Sequence, residues 1–154
     1  FGMAFAKAEL AAGEALPTSG TVFLSTHDRD KTDLVPVARQ LIGLGFKLIA
    51  TSGTAKALRD QGLEVESVLK VHEGRPNIED LIRSGDVQLV INTPIGRQAA
   101  HDDRYLRRAA LDYSVTTLTT LAGARAAVEA IEALQTRTIV IHALQDVHSS
   151  LAGQ

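Results

Sequence analysis

The sequence contains no cysteine, which removes disulfides, thiolate zinc sites and a cysteine nucleophile together. That absence suits a reducing compartment, and a cytoplasmic location is the expectation. No apolar run approaches the roughly 18 residues that a membrane-spanning helix needs. The opening Phe1-Gly2-Met3-Ala4 has neither the basic nor the apolar region of a signal peptide and reads as a point inside a longer polypeptide. A basic excess is missing too. Lys and Arg number 16 against 18 Asp and Glu, a formal net charge of -2, so no electrostatic footprint for nucleic acid exists. Neither a nucleic acid nor a membrane is an expected partner, and any anion site has to be a local arrangement of a few cations and backbone amides.

What is present is the balance of a globular domain. Hydrophobic residues make up 45% and charged residues 22% of 154 positions, enough to bury one core and too little chain for two domains of ordinary size. Phe5 to Leu10 reads as the end of a helix, and Ala11 to Gly20, with two Gly, a Pro, a Thr and a Ser, as a linker. Short β-rich runs follow at Val22 to Ser25, Lys47 to Ala50, Val65 to Val68, Leu89 to Ile91 and Val115 to Leu118. Between them lie helical periods. Leu34, Val35, Ala38, Leu41 and Ile42 share one face of a helix that ends at Gly43-Leu44-Gly45 and that accommodates Pro36 if it begins near Thr32 or Asp33. Ala55 and Leu58 mark a helix closed by Gly62, and Ile78, Leu81 and Ile82 one closed by Gly85. Leu106, Ala109, Ala110 and Tyr113 mark a fourth, and Ala124, Val128 and Ile131 a fifth. Alternation of this kind predicts an α/β domain with three layers, a doubly wound, open, parallel five-stranded sheet between helices. The boundaries read as 1–19 for a preceding segment and linker, 20–135 for the domain, and 136–154 for an extension carrying a further β-rich run, Thr138 to His142.

In such a sheet ligands bind beyond the carboxyl ends of the strands, so the loops that follow them carry the candidate residues. Thr51-Ser52-Gly53-Thr54 turns from the second strand straight into a helix, an arrangement that aims unpaired N–H groups and a helix dipole at an anion. The plain alternative is an N-cap supplied by Ser52 or Thr54. Lys31 follows the first strand, Lys70 the third and Asn92-Thr93-Pro94 the fourth. Two cations, several hydroxyls and an amide on one edge suit a phosphorylated ribose.

The run Lys70-Val71-His72-Glu73-Gly74-Arg75-Pro76, with Thr51-Ser52-Gly53-Thr54-Ala55 before it and Ile91-Asn92-Thr93 and Arg107-Arg108-Ala109-Ala110 after it, closely resembles the C-terminal regulatory domain of carbamoyl phosphate synthetase large subunits. The resemblance covers Gly20 to about Ile131, and Ala4 to Leu10 resembles the last helix of the preceding ATP-grasp portion. It implies a methylglyoxal-synthase-like fold. It also implies allosteric control of carbamoyl phosphate synthesis, for pyrimidine and arginine production, by nucleoside monophosphates, UMP and IMP. Matched position by position, Lys31, Thr51, Gly53, Thr54 and Lys70 correspond to the phosphate site, and Ser25, Asn92 and Thr93 to the ribose and base site. Pro94 departs from a hydroxyl common in bacterial relatives. Thr119 and Thr120 match the loop that holds ornithine, though Thr117 and Leu118 stand where responsive relatives carry Tyr and Asp. The partners implied are the rest of the large subunit and the glutaminase small subunit, with self-association also open. No cofactor is implied for this domain.

An enzyme alternative exists on the same fold. Methylglyoxal synthase requires a carboxylate base beside its phosphate pocket, and the aligned position here is Arg75. His101-Asp102 resembles the region of that enzyme's active-site His, but reads more simply as part of the start of an exposed helix, with Asp102 and Asp103 in its first turn. Glu73 and Arg75 read as an ion pair or as hydrogen-bonding groups within their loop. Hence no catalytic residue is assigned. The spacing of His27, His72, His142 and His148 suggests no metal site. The helix Asp102 to Asp112, with Arg104, Arg107 and Arg108, is the candidate surface for subunit contact, and a solvated charged face is its simpler reading.

Overall fold

The computed structural model describes residues 15–93 and 97–152. The helix expected at Phe5 to Leu10, the linker before residue 15 and Pro94 lie outside them. Strands β1 Thr21–Thr26, β2 Lys47–Ala50, β3 Glu66–Ser67, β4 Leu89–Thr93 and β5 Thr116–Leu118 alternate with helices α1 Lys31–Gly43, α2 Ser52–Arg59, α3 Ile78–Arg83, α4 Arg97–Asp112 and α5 Leu121–Ala152. All neighbouring strands are parallel, in the order β3-β2-β1-β4-β5.

Strand side chains point alternately to the two faces of a sheet, and here both faces are apolar. Val22 and Leu24, Leu48 and Ala50, Leu89 and Ile91 pack with Leu34, Ala38 and Leu41 of α1, Leu58 of α2, and Val128 and Ile131 of α5. Phe23, Ile49 and Val90 face the other way, into Ile78 and Ile82 of α3 and Leu106 and Ala109 of α4. This makes the three layers, and each buried Leu, Ile or Phe contributes about 1.5–3 kcal/mol. The register pairs Ser25 with Asn92 and Thr26 with Thr93.

Four expectations need adjustment. Helix α1 starts at Lys31, directly after a 3-10 turn at Asp28–Asp30. Pro36 therefore sits in its second turn, where its missing N–H removes the α-helical partner of the carbonyl four residues before it, that of Thr32, an exposed residue. Strand β3 is only two residues long, both exposed, because it is the edge strand and has one neighbour to hold it. Tyr113 lies past the end of α4 and is half exposed.

The largest departure is at Thr138 to His142, which is part of α5 and not an extra β element. No Gly or Pro interrupts the chain between Ala124 and Ala152, and extending an existing helix adds one hydrogen bond per residue ordered, without a new nucleus. A β-branched run that follows an established helix therefore continues it. Gln135 Nε2 donates to the carbonyls of Thr18 at 2.8 Å and Leu44 at 3.0 Å, tying α5 to the domain. Beyond it the described side chains from Thr136 to His148 are exposed.

Candidate functional site

The strand order reverses between β1 and β4, and a cavity of about 280 Å³ opens at the carboxyl ends there. Parallel strands release their chains at one edge. The cavity accordingly gathers Ser25 and Thr26 from β1, Thr51 to Thr54 after β2, Lys70 and Val71 after β3, and Asn92 and Thr93 from β4.

Thr51 occupies the N-cap position of α2 with extended backbone, and its side chain makes no cap bond. Ser52 and Thr54 are not the cap. The Thr54 hydroxyl oxygen, buried, accepts from Thr26 N at 3.2 Å and from the Thr51 hydroxyl at 3.3 Å. The first-turn amides of α2 have no acceptor within an α-helical ladder, and the positive end of the helix dipole lies with them. Beside this turn, a Cβ added to Gly53 would stand 3.2 Å from Lys31 Nζ. Lys31 is in turn ion-paired with the mostly exposed Asp28. A hydrogen bond from Lys31, and then its charge, hold the Asp28 carboxyl below its ordinary value.

The Lys70 loop is braced from within. Lys70 N donates to Glu73 Oε2 at 2.8 Å, and the buried Asn77 caps α3 while its Nδ2 donates to the Gly74 carbonyl at 2.8 Å. Glu73 and Arg75 are engaged separately. Arg75, 75% exposed, lies 3.6 Å from Asp80. His72 Nδ1 and Asp102 Oδ1, 2.6 Å apart, join this loop to α4. On β4, the Thr93 hydroxyl accepts from His27 N at 3.3 Å, and Asn92 Nδ2 donates to Asp103 Oδ1 at 2.5 Å.

Of the residues singled out from the sequence, Ser25, Lys31, Thr51, Gly53, Thr54, Lys70, Asn92 and Thr93 line this one cavity. Thr119 and Thr120 do not; the Thr120 hydroxyl accepts from Gly123 N at 3.0 Å at the start of α5. His101 is also outside it, edge-on to Tyr105 with ring centroids 5.3 Å apart. It borders a shallow groove on α4 with Arg104, Arg107, Arg108 and Leu111. Sequence reasoning missed Thr26, Asp102 and Asp103, and the apolar wall of Phe23, Val71, Ile78 and Leu106. Asp103, expected in an exposed first turn, is buried, because α4 begins earlier, at Arg97. One signal could have found it: Asp103, Leu106 and Ala110 fall at i, i+3 and i+7, on one helix face.

A family model described as MGS-like domain matches residues 33–119, from the first turn of α1 past the end of β5. The chain belongs to the MGS-like domain family. This MGS-like domain is 56% identical over 147 residues to the carbamoyl phosphate synthase large chain of Synechocystis sp., covering 95% of this chain and 14% of that one. It is 53% identical over 152 residues to the large chain of Acidobacterium capsulatum, covering 99% and 14%. Against the large chain, C-terminal section, of Methanopyrus kandleri it is 52% identical over 149 residues, covering 96% and 28%. The chain thus spans 14% of the full large chains of Synechocystis and Acidobacterium. Among solved structures, methylglyoxal synthase from Elizabethkingia anophelis shares the fold, with TM-score 0.59 and 24% identity, over 73% of this chain and 79% of that one. No helix among the described residues is long and apolar enough to cross a membrane.

Proposed function

We propose that this MGS-like domain is the effector-binding regulatory module of a carbamoyl phosphate synthase large chain, and that its cavity takes a nucleoside monophosphate of the UMP or IMP type. The observation that carries the reading is the convergence of Lys31, Lys70 and the first turn of α2, whose N-cap side chain makes no cap bond, on one cavity. Charge-assisted bonds from ammonium groups and helix-terminal amides favour a phosphate dianion. Ser25, Asn92 and Thr93 supply polar groups for a sugar, and Val71, Ile78 and Leu106 an apolar wall for a flat base. The large-chain relatives support the assignment of the parent enzyme. In that enzyme the domain's partners are the remainder of the large subunit and the glutaminase subunit. Control then requires that the effector bind two states of the assembly unequally.

The same cavity supports no chemistry of its own in this reading. Arg75 stands at the position aligned with the catalytic carboxylate of methylglyoxal synthase, and Asp102 and Asp103 are engaged with His72, Asn92 and Arg107. Calorimetric titration with UMP, IMP, uridine, inosine and inorganic phosphate tests the proposal. The monophosphates should bind at least about tenfold more tightly than the nucleosides; equal binding would overturn the phosphate assignment. Turnover of dihydroxyacetone phosphate above a heat-treated control would overturn the non-catalytic part.

A further inference from the structure

We infer that Asp103, braced by Arg107, is a positioning residue that sets which face of the Asn92 carboxamide the cavity offers, so that the site selects a ligand bringing a hydroxyl donor. The inference rests on the effector reading and adds to it the residues that impose sugar selectivity.

Asp103 is the one buried residue with a charged side chain among the described residues. An unpartnered carboxylate in that position would be strongly destabilising, but each oxygen has a donor. Asn92 Nδ2 lies 2.5 Å from Oδ1, and Arg107 Nε lies 2.8 Å from Oδ2. Asp103 and Arg107 are one turn apart on α4, while Asn92 is on the adjoining strand β4, so the pair reaches from the outer surface of α4 to the cavity.

An ionised carboxylate only accepts hydrogen bonds. Facing Asp103, Asn92 therefore has to present its NH2 group to the carboxylate, and its carbonyl oxygen points elsewhere. That oxygen receives no hydrogen bond from the described residues, and Asn92 lines the cavity. That oxygen is an acceptor. The phosphomonoester dianion of a nucleotide has only acceptors to offer and cannot satisfy it, whereas a sugar hydroxyl can. Selectivity for a ribose hydroxyl is thus written into the orientation of one amide, held by a residue that need not touch the ligand.

The test is calorimetric titration of wild type, Asp103→Asn and Arg107→Gln with UMP, 2′-deoxy-UMP, 3′-deoxy-UMP and inorganic phosphate. Loss of one of the two hydroxyls should weaken binding to wild type roughly tenfold. In Asp103→Asn the new amide can donate to Asn92, the Asn92 carboxamide is free to turn over, and the discrimination should fall to about threefold or less. Arg107→Gln, an exposed substitution expected to fold even where the buried one does not, should change the ratio in the same direction by less. The readout is the ratio of ribo to deoxy affinity, which a general loss of packing leaves unchanged. Wild-type binding of UMP with no loss on deoxygenation, or full discrimination retained in both variants, would overturn the inference and leave the phosphate site standing. Failure of wild type to bind any of the four compounds or IMP would overturn the effector reading and this inference with it.

Discussion

Lys31 and Gly53 meet at the edge of the cavity, with the ammonium nitrogen 3.2 Å from the point a Cβ on Gly53 would occupy. Glycine there leaves the turn's amides and the cation open to the same anion. In Gly53→Ala the methyl group crowds Lys31 away from that position, so affinity for inorganic phosphate and UMP should fall about fivefold to tenfold. The melting temperature should hold or rise, since Ala is favoured over Gly within a helix. Calorimetry beside a thermal melt reads both; unchanged affinity would place the anion away from this turn.

Asp28 neutralises Lys31, so a phosphate has to compete with it. Asp28→Asn should tighten phosphate binding by roughly twofold to fivefold, the modest size expected of an exposed ion pair. Because Lys31 holds the Asp28 carboxyl below its ordinary value of 3.8, the carboxylate stays charged at and above that value. The pair's contribution is therefore present throughout the neutral range and is lost only as pH falls through the depressed value. The affinity ratio of variant to wild type should be flat from about pH 5 to 8. A ratio that changes near neutrality would point to another group.

Lys70 and Thr54 both line the cavity, but only Lys70 stands on a loop. Lys70→Ala should lower nucleotide affinity by about 1.5 to 3 kcal/mol, the loss of a charge-assisted contact, with little change in stability. Thr54 is 1% exposed in the first turn of α2 and holds Thr26 N, so Thr54→Ala should also lose about 1 to 3 kcal/mol of stability. Lys56, 77% exposed and paired with Asp60, is the control, and Lys56→Ala should bind as wild type does. Titrations and denaturant melts of the three variants separate these outcomes, and an equal loss in Lys56→Ala would misplace the phosphate.

Gly20 immediately precedes β1 with φ +116, and a Cβ there would fall 2.2 Å from Gln88 Oε1. That oxygen accepts from Thr21 N at 2.7 Å, which ties the entry of β1 to the segment before β4. Gly20→Ala should therefore destabilise the fold by about 1 to 3 kcal/mol through strain and a displaced hydrogen bond. Chemical denaturation measures it, and wild-type stability would show that the turn relaxes freely.

What the sequence determined by itself is what local chemistry controls. Apolar period and Gly punctuation near helix ends specify where strands and helices lie, because each signal acts within a turn or a few strand residues. Once the strands are parallel, residues that follow them must share an edge, so Lys31, Thr51, Gly53, Thr54, Lys70, Asn92 and Thr93 could be grouped without coordinates. Only the tertiary structure decided which partners those residues take. The Thr26 to Thr54 bond spans 28 positions, and the burial of Asp103 beside Asn92 depends on where α4 starts and which face it turns to β4. The continuation of α5 through Thr138 to His142 likewise reflects the docking of its earlier turns, where Val128 and Ile131 pack in the core and establish the helix that the run extends. Such outcomes follow from register and packing between distant segments, which a local pattern does not encode.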